Sequence, residues 1–471
     1  MSNYIAIQLF PGQFQLSENS TDRLIATIVV SHFNRHPAPK PIDYQGIRTL
    51  LVPTSTNNMS ELSVSGYAQA LDHYATAITQ FINEQDPQSQ AILISYLPAP
   101  HMLSRLRHTY CYQHSDTAQK IEHKSALIPI LKACNAAIIP YHEIQPPITI
   151  DACNNALNHI ATNTAVAQKL GLFSGGNGTY LLEKNKIASS VDLLNSDHPL
   201  KVMPDLGRES YGTQLYINPE NNGDCSVLIF PIARQIYYIT DNNKIIFQGN
   251  QLGSFFSDQQ KNKIHSQLRK IAHFLYREYK YCGLLGMDFL YTKESDIYIV
   301  DLNARAAALM SSLVMFHDSY YPKEQPLLQK IFCQQNQDTL MALDTFFNAH
   351  KEHQQFSRRS LNVIAKHNFT TKSKLPMGIY QLDIIDKKIT LTFKKHAYAI
   401  NEISNPEKEL LCFPFLMPEY KQGDSVLLSE IYIEPPLEEH LQQTIGEDLN
   451  KKLLTAMINL ATIEPSMLEI E

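Results

Sequence analysis

The chain runs Gly-Met-Asp-Phe-Leu-Tyr at 286–291 and, after a polar stretch, Ile-Tyr-Ile-Val-Asp-Leu-Asn-Ala-Arg at 297–305. Two short runs rich in aromatic and β-branched residues, separated by a polar loop, predict a β-hairpin. Asp301 and Asn303 are two positions apart on the second strand, so both side chains leave the same face. Asp288 lies on the neighbouring strand, close enough in a hairpin to join them.

These side chains suit a metal ion. Two carboxylates and an amide oxygen on rigid strands are ligands that Mg²⁺ prefers, and Mg²⁺ usually shares its coordination with nucleotide phosphates. Mn²⁺ accepts similar oxygen ligands. Arg305, two residues beyond Asn303, could hold a phosphate or a developing anion. The alternative is a hairpin whose polar face meets only water, and the hairpin alone does not decide between them.

Composition indicates an ordinary globular protein, and the chain is long enough for two to four domains. The chain has 471 residues, of which 44% are hydrophobic and 18% charged. Its formal net charge is −6 and its sequence pI is about 6.3, so no basic field would recruit nucleic acid or an anionic membrane. The N-terminus lacks the pattern of a signal peptide, and no stretch approaches the roughly 18 apolar residues of a membrane span. We therefore expect a cytoplasmic protein.

The cysteines are scattered and odd in number, and none forms a Cys-x-x-Cys pair. The sequence therefore signals neither a zinc site nor a redox dithiol. We expect mostly buried, inert thiols in a reducing compartment. They are Cys111, Cys134, Cys153, Cys225, Cys282, Cys333 and Cys412.

The first 118 residues predict an α/β domain. Apolar runs at 48–53 and 91–96 predict buried strands, and the periodicity at 67–83 predicts a helix between them. This β-α-β alternation favours parallel pairing. No glycine-rich dinucleotide fingerprint follows either strand.

A glycine-rich segment at 174–179 reads Ser-Gly-Gly-Asn-Gly-Thr and has apolar runs on both sides. This pattern predicts a flexible hairpin loop whose successive backbone N–H groups could bind phosphate oxygens. A plain surface hairpin is the alternative.

Further elements follow this loop. A capping-box pattern at Ser257 and Gln260 predicts the start of a helix over 258–281, ended by Gly283. The polar stretch at 334–359 predicts an exposed helix and connector. Beyond it the sequence predicts several strands and a C-terminal helix at 441–463.

The order and spacing of these motifs resemble the ATP-grasp superfamily, in which two subdomains clamp ATP between them. Residues 119 to about 320 carry the resemblance, and the hairpin is its most specific part. The resemblance implies that Lys124 and Lys169 bind the nucleotide and that Arg305 contacts the transferred phosphate or acyl-phosphate. It further implies a phosphate loop (Ser174, Gly175, Gly176, Asn177, Gly178), an adenine hinge (Met203, Asp205) and metal ligands (Asp288, Asp301, Asn303).

Two positions depart from the family's pattern. Asp301 stands where members commonly carry Glu; the shorter side chain keeps the charge. Pro204 lies in the hinge segment and cannot donate a backbone hydrogen bond.

The predicted architecture combines α/β and α+β parts. An N-terminal α/β pre-ATP-grasp domain (1–118) precedes a two-subdomain ATP-grasp fold (119–335) and a C-terminal α+β extension (336–471). Within the fold, residues 119–205 form the small nucleotide-clamping subdomain and 206–335 the central metal-binding subdomain.

The resemblance implies an ATP- and Mg²⁺-dependent ligase that joins a carboxylate to an amine through an acyl-phosphate, releasing ADP and phosphate. We expect small-molecule substrates, amino acids or peptides among them; a homodimer is compatible with the sequence. Two alternatives stay open: a kinase or other acyl-activating enzyme of the same superfamily, and a nucleotide-binding partner protein without catalysis.

Overall fold

The computed structural model of the chain describes most of the sequence. The described residues are 3–8, 23–31, 38–44, 46–53, 70–95, 109–111, 115–171, 178–184, 186–207, 209–220, 222–240, 242–320, 326–333, 337–350, 355–370, 375–414, 419–420, 425–445 and 449–470. None of the helices in these ranges combines the length and apolar character that crossing a bilayer requires.

The N-terminal region is a six-stranded sheet with strand order β3-β4-β2-β1-β5-β6, parallel except for β3. One face packs on helix α1, and the other face, through Tyr4 and Ala6, joins the core of the large sheet. This confirms the α/β prediction. The elements are β1 Asn3–Gln8, β2 Arg23–Ser31, β3 Lys40–Tyr44, β4 Ile47–Pro53, α1 Ala75–Gln85, β5 Ile92–Ser95 and β6 Thr109–Cys111.

Two short helices and a small sheet follow. Helices α2 (Ser115–Glu122) and α3 (Leu127–Ala133) pack into the core of the large sheet. The small sheet is antiparallel, with order β7-β10-β8-β9, and buries one face against α4. Its elements are β7 His142–Ile144, α4 Ile150–His159, β8 Thr164–Lys169, β9 Thr179–Glu183, α5 Val191–Leu194 and β10 Leu200–Pro204.

The large sheet has twelve strands, and its main path is β16-β15-β11-β13-β14-β17-β23-β21-β19-β20. Strand β12 pairs with β11, and β24 pairs with β17. Because β14 pairs with β17, the strands after residue 336 continue the central sheet. The strands of this sheet are β11 Ser210–Pro219, β12 Cys225–Ile229, β13 Ala233–Ile239, β14 Ile245–Leu252, β15 Gly283–Tyr291, β16 Ile297–Asn303, β17 Phe356–Ala365, β19 Gly378–Ile385, β20 Lys388–His396, β21 Glu409–Pro414, β23 Ser425–Ile433 and β24 Leu468–Ile470. A separate antiparallel pair is formed by β18 Phe369–Thr370 and β22 Glu419–Tyr420.

The longest helix among the described residues, α6 (Asp258–Tyr279), begins where the capping box predicts. The Ser257 hydroxyl accepts from Gln260 N, and the Gln260 side chain accepts from Ser257 N at 2.9 Å. Its end differs from the prediction, because Lys280, at φ 52°, takes the left-handed position after the last turn. Gly283, at φ +103°, instead begins β15.

The remaining helices correct two predictions. Helices α7 (Leu309–Tyr320) and α8 (Leu327–Cys333) are followed by α9 (Gln337–Ala349). The sequence predicts that α9 is exposed, but one side of this helix is buried through Leu340, Leu343, Phe346 and Phe347. The C-terminal helix predicted at 441–463 is two helices, α10 (Pro435–Thr444) and α11 (Leu449–Leu460). Proline at the first helical position favours the earlier start, and Gly446 between the helices disfavours one continuous helix.

The junction of β14 and β17 needs a glycine. Gly249 has φ +151°, and a Cβ there would lie 1.9 Å from the carbonyl oxygen of Arg358. We expect Gly249→Ala to lower the free energy of unfolding by about 3–5 kcal/mol, measured by urea denaturation. Gly223→Ala is the control, since Gly223 has φ +85° with open space around it; it should cost only about 1–2 kcal/mol. Equal costs for the two variants would contradict this account.

Candidate active site

A cavity of about 420 Å³ lies between the small sheet and the large sheet. The small sheet contributes Val166, Gln168, Leu181 and Met203 to its wall, and the large sheet contributes the β15–β16 hairpin and parts of β11, β13 and β14. The small sheet also touches the β13–β14 turn, where Leu181 N donates to the carbonyl of Asn243 at 2.8 Å. The cavity therefore has walls from two separately packed sheets.

The acidic residues of the hairpin meet in this cavity. Asp288 and Asp301 are direct cross-strand partners, with a bulge just beyond Asp288. Asn303 Nδ2 donates to Asp288 Oδ2 at 3.4 Å, and all three line the cavity. The close approach predicted for these side chains is confirmed by the strand register.

Two glycines give the acidic group its space. Gly212 is the partner of Asp288 across β11 and β15, and a Cβ at Gly212 would lie 2.8 Å from Asp288 Oδ1. A Cβ at Gly286 would lie 3.2 Å from Asn303 Cβ and 2.7 Å from Ala307 Cβ. Larger residues would displace the carboxylate and amide from their positions.

Cationic side chains adjoin the acidic group. The ammonium of Lys124 pairs with Asp301 Oδ1, and the backbone N–H of Lys124 donates to the carbonyl of Gly171 at 3.1 Å. Arg305 donates to Asn303 Oδ1 at 3.0 Å and pairs through Nε with Glu122 at 3.1 Å. Lys124 and Arg305 are therefore brought next to the acidic group, and their roles toward a nucleotide stay predictions.

Burial dominates the electrostatics of the acidic residues. Desolvation and the charge of Asp301 raise the pKa of Asp288 to about 7. A hydrogen bond from Gln235 and the charges of Lys124 and Arg305 oppose this rise. Burial also raises the pKa of Glu122, against the charges of Arg305 and Lys124. A further cation beside Asp288 would favour its ionised form.

The predicted hinge residues also line the cavity. Met203, at the end of β10, and Asp205, just after it, are both in the wall. Asp205 Oδ1 accepts from Gly207 N at 3.2 Å, a bond that shapes the turn leaving β10. Apolar side chains, among them Leu290 and Val300 from the hairpin, also line the cavity.

The second predicted lysine lies elsewhere. The ammonium of Lys169 is 5.6 Å from the ring centroid of Tyr180, and Lys169 is not among the described residues that line the cavity. Its neighbour Gln168 does line it, as alternation along a strand requires. Gly178 has φ +83° and its carbonyl accepts from Lys169 N at 2.7 Å. Ser174, Gly175, Gly176 and Asn177 lie outside the described residues, so their phosphate role stays a prediction.

Three buried polar residues near the site escaped the sequence analysis. Glu122 pairs with Arg305, and Gln214 binds the carbonyl of Arg305 at 3.1 Å and the N–H of Ala307 at 2.9 Å. Lys201 is 2% exposed on β10. A lone lysine within the apolar run Leu-Lys-Val-Met was the available signal for it.

The side-chain amine of Lys201 is buried, which disfavours its charged form. Burial lowers the pKa of Lys201 from 10.5 to about 8; the charge of Asp301 raises it and the charge of Lys124 lowers it. A lysine whose pKa is lower in the folded state than in the unfolded state lowers the free energy of unfolding at pH values below its folded pKa, because it is then charged in a buried place. The cost disappears as pH rises from about 8 to 10.5.

We therefore expect Lys201→Met to raise the free energy of unfolding at pH 7 by on the order of 2 kcal/mol. The gain over the parent protein should shrink between pH 8 and pH 10.5. Urea denaturation across that range measures both effects. Lys186→Met, at a lysine that is 60% exposed, is the control and should change little. A gain that is independent of pH would contradict the account.

Comparison with known proteins gives matches only among solved structures. Neither a protein-family model nor a curated protein sequence matches the chain. N5-carboxyaminoimidazole ribonucleotide synthetase, solved as an ADP complex, is 12% identical with a TM-score of 0.50, over 96% of this chain and 98% of that one. Carboxyaminoimidazole ribonucleotide synthase from Aspergillus clavatus, complexed with ATP, is 10% identical with a TM-score of 0.50, over 96% and 99% of the two chains.

Pyruvate carboxylase from Rhizobium etli gives a similar result over part of a longer chain. It is 11% identical with a TM-score of 0.50, and the match covers 97% of this chain and 38% of that one. At sequence identities this low, the similarity shows a shared fold and nothing about function. The cavity between two sheets and the hairpin in its wall agree with this likeness, and the chain has the ATP-grasp fold.

Proposed function

We propose that the protein is an ATP- and Mg²⁺-dependent ligase that joins a small-molecule carboxylate to an amine, with release of ADP and phosphate. One observation carries the proposal. In a single cavity between two sheets, the acidic and amide side chains of the β15–β16 hairpin lie next to Lys124 and Arg305. Solved proteins of the same fold with ADP or ATP bound support it.

The donor set fits a hard divalent cation. Asp288, Asp301 and Asn303 offer oxygen atoms from rigid strands, and Gly212 leaves room beside them. When bound there, Mg²⁺, or Mn²⁺ in its place, would neutralise charge on the phosphates and polarise the transferred group.

Charge balance favours the ion as well. Among the described residues in and beside the cavity, the acidic side chains are Glu122, Asp205, Asp288 and Asp301, and the basic ones are Lys124, Lys201 and Arg305. A triphosphate would therefore add several negative charges without matching cations from these residues. A divalent cation that enters with the nucleotide meets this need.

The remaining residues take roles that follow from their places. The base of ATP would lie among the apolar side chains near Met203 and Asp205. Lys124 and Lys169, with the glycine loop, would hold the phosphates; Lys169 would need to move from its place beside Tyr180. Arg305 would contact the phosphate as it is transferred. These assignments stay proposals.

The proposed reaction has two steps. An oxygen of the substrate carboxylate attacks the γ-phosphorus, and the bond to the leaving ADP oxygen breaks, giving an acyl-phosphate. The amine nitrogen then attacks the acyl carbon, phosphate leaves, and the nitrogen loses a proton to solvent. No protein nucleophile is needed, so the residues act by positioning and by charge stabilisation.

The wall of the cavity also offers an uncommitted donor. Asn250 lies on β14, is 2% exposed and lines the cavity, and its Nδ2 has no hydrogen-bond partner among the described residues. Buried amides usually have partners, so a ligand group is the expected one. We propose that Asn250 donates to the carboxylate substrate, which would be a small acid, an amino acid or a peptide.

The activity is tested by measuring ADP and free phosphate with Mg-ATP and pools of amino acids and small carboxylic acids. We expect Asp288→Asn and Asp301→Asn to lower the rate at least about 100-fold, since each removes a charge that holds the cation. Asp296→Asn, in the hairpin turn, is the control and should keep full activity. Equal release of ADP and free phosphate supports a ligase.

Other outcomes separate the alternatives. Release of ADP with phosphate retained on the product would identify a kinase. ATP binding without turnover on any pool would favour a partner protein without catalysis. Full activity in both aspartate variants would contradict the proposed metal site.

A separate variant tests the substrate group. We expect Asn250→Asp to raise the KM for the acid about 10-fold or more, because a carboxylate would then face the substrate's own charge. The KM for ATP should stay within about 2-fold. An equal rise in both KM values would contradict a specific contact with the acid.

A further inference from the structure

A second group of potential metal ligands lies where β12 meets α6. Asp224 and Cys225 stand at the start of β12, and His273 faces them from α6. One donor atom from each residue lies within 4.8 Å of the other two. Cys225 pairs with Pro219, seven residues along β11 from the cavity residue Gly212, which places the group roughly 20 Å from the proposed ATP site.

The distances fit tetrahedral coordination. Cys225 Sγ lies 3.4 Å and Asp224 Oδ1 3.3 Å from His273 Nδ1. With zinc bonds of roughly 2.3 Å to sulfur and 2.0–2.1 Å to nitrogen or oxygen, tetrahedral geometry places such ligand atoms about 3.3–3.6 Å apart. The observed separations already match those of ligands around one ion.

The contacts argue against a nucleophilic triad. In such a triad, the histidine uses one ring nitrogen for the carboxylate and the other for the thiol. Here both partners contact the same atom, Nδ1 of His273. The three donor atoms therefore converge on one point instead of forming a relay.

The group is also held in place and open to entry. Asp224 N donates to Asn222 Oδ1 at 2.9 Å, and the carbonyl of Asp224 accepts from Glu220 N at 2.8 Å. The Asp224 side chain is 61% exposed and that of His273 33% exposed, whereas Cys225 is buried. An ion can therefore reach the three donors from solvent, and a water molecule can complete the tetrahedron.

We propose that Asp224, Cys225 and His273 bind a zinc-class divalent cation, which fastens β12 to α6. The sulfur, nitrogen and oxygen donor set favours a borderline-soft ion over Mg²⁺. Coordination replaces the thiol proton of Cys225, which passes to solvent. This site is independent of the proposed ligase activity.

Cobalt is the probe for this site, because thiolate ligation gives Co²⁺ an intense charge-transfer absorption and tetrahedral geometry gives it strong visible bands. The full chain, treated with a chelator and then freed of it, is titrated with Co²⁺. We expect one equivalent to produce both signals and Zn²⁺ to displace it. A cobalt ion on the oxygen ligands of the cavity would give neither signal.

Variants assign the signal to these residues. Cys225→Ser and His273→Gln should each abolish the charge-transfer band, and His198→Gln, at a histidine outside the group, should retain it. Zn²⁺ should raise the Tm of the parent by a few degrees and leave that of His273→Gln unchanged. Because His273 is partly exposed, its variant tests the site even if Cys225→Ser fails to fold. A band that persists in His273→Gln, or no band in the parent, would overturn the proposal.

Discussion

The arrangement of the cavity depends on one electrostatic constraint: two carboxylates, Asp288 and Asp301, lie side by side on neighbouring strands of a buried sheet. Like charges this close cannot both ionise at little cost in a medium of low polarity. The ion pair of Lys124 with Asp301 offsets part of that cost. Burial, and after it the charge of Asp301, raises the pKa of Asp288 to about 7. A site of this kind is prepared for an added cation, which is the basis of the proposed metal role.

The fold places this constraint at the boundary between two packed units. The small sheet has its own core against α4, and the hairpin belongs to the core beneath α6. Lys124 lies between them, since it pairs with Asp301 through its side chain and with Gly171, next to the small sheet, through its backbone. Lys124 is therefore a direct link between Asp301 and the segment that follows β8 of the small sheet.

Features set by local sequence could be predicted. The hairpin, the closeness of its acidic side chains and the cap of α6 follow from strand periodicity, turn residues and a capping box, all within a few positions of one another. The buried stripe of α9 was missed because its flanks are rich in glutamine and histidine, although Leu340, Leu343 and Phe347 have helical spacing. Lys201 and Glu122 were missed because their relation to the site depends on contacts between distant segments. The Asp224–Cys225–His273 group was missed for the same reason, because His273 is 49 positions from Asp224 in the sequence.

The most direct test of the central claim is a crystal structure of the full chain with Mn²⁺ and a non-hydrolysable ATP analogue, with the metal located by its anomalous scattering. We expect a peak within coordination distance of Asp288 and Asp301, next to the phosphates of a nucleotide whose base lies near Met203. Nucleotide bound with its metal away from both carboxylates would contradict the proposed site. So would a cavity that stays empty at saturating analogue.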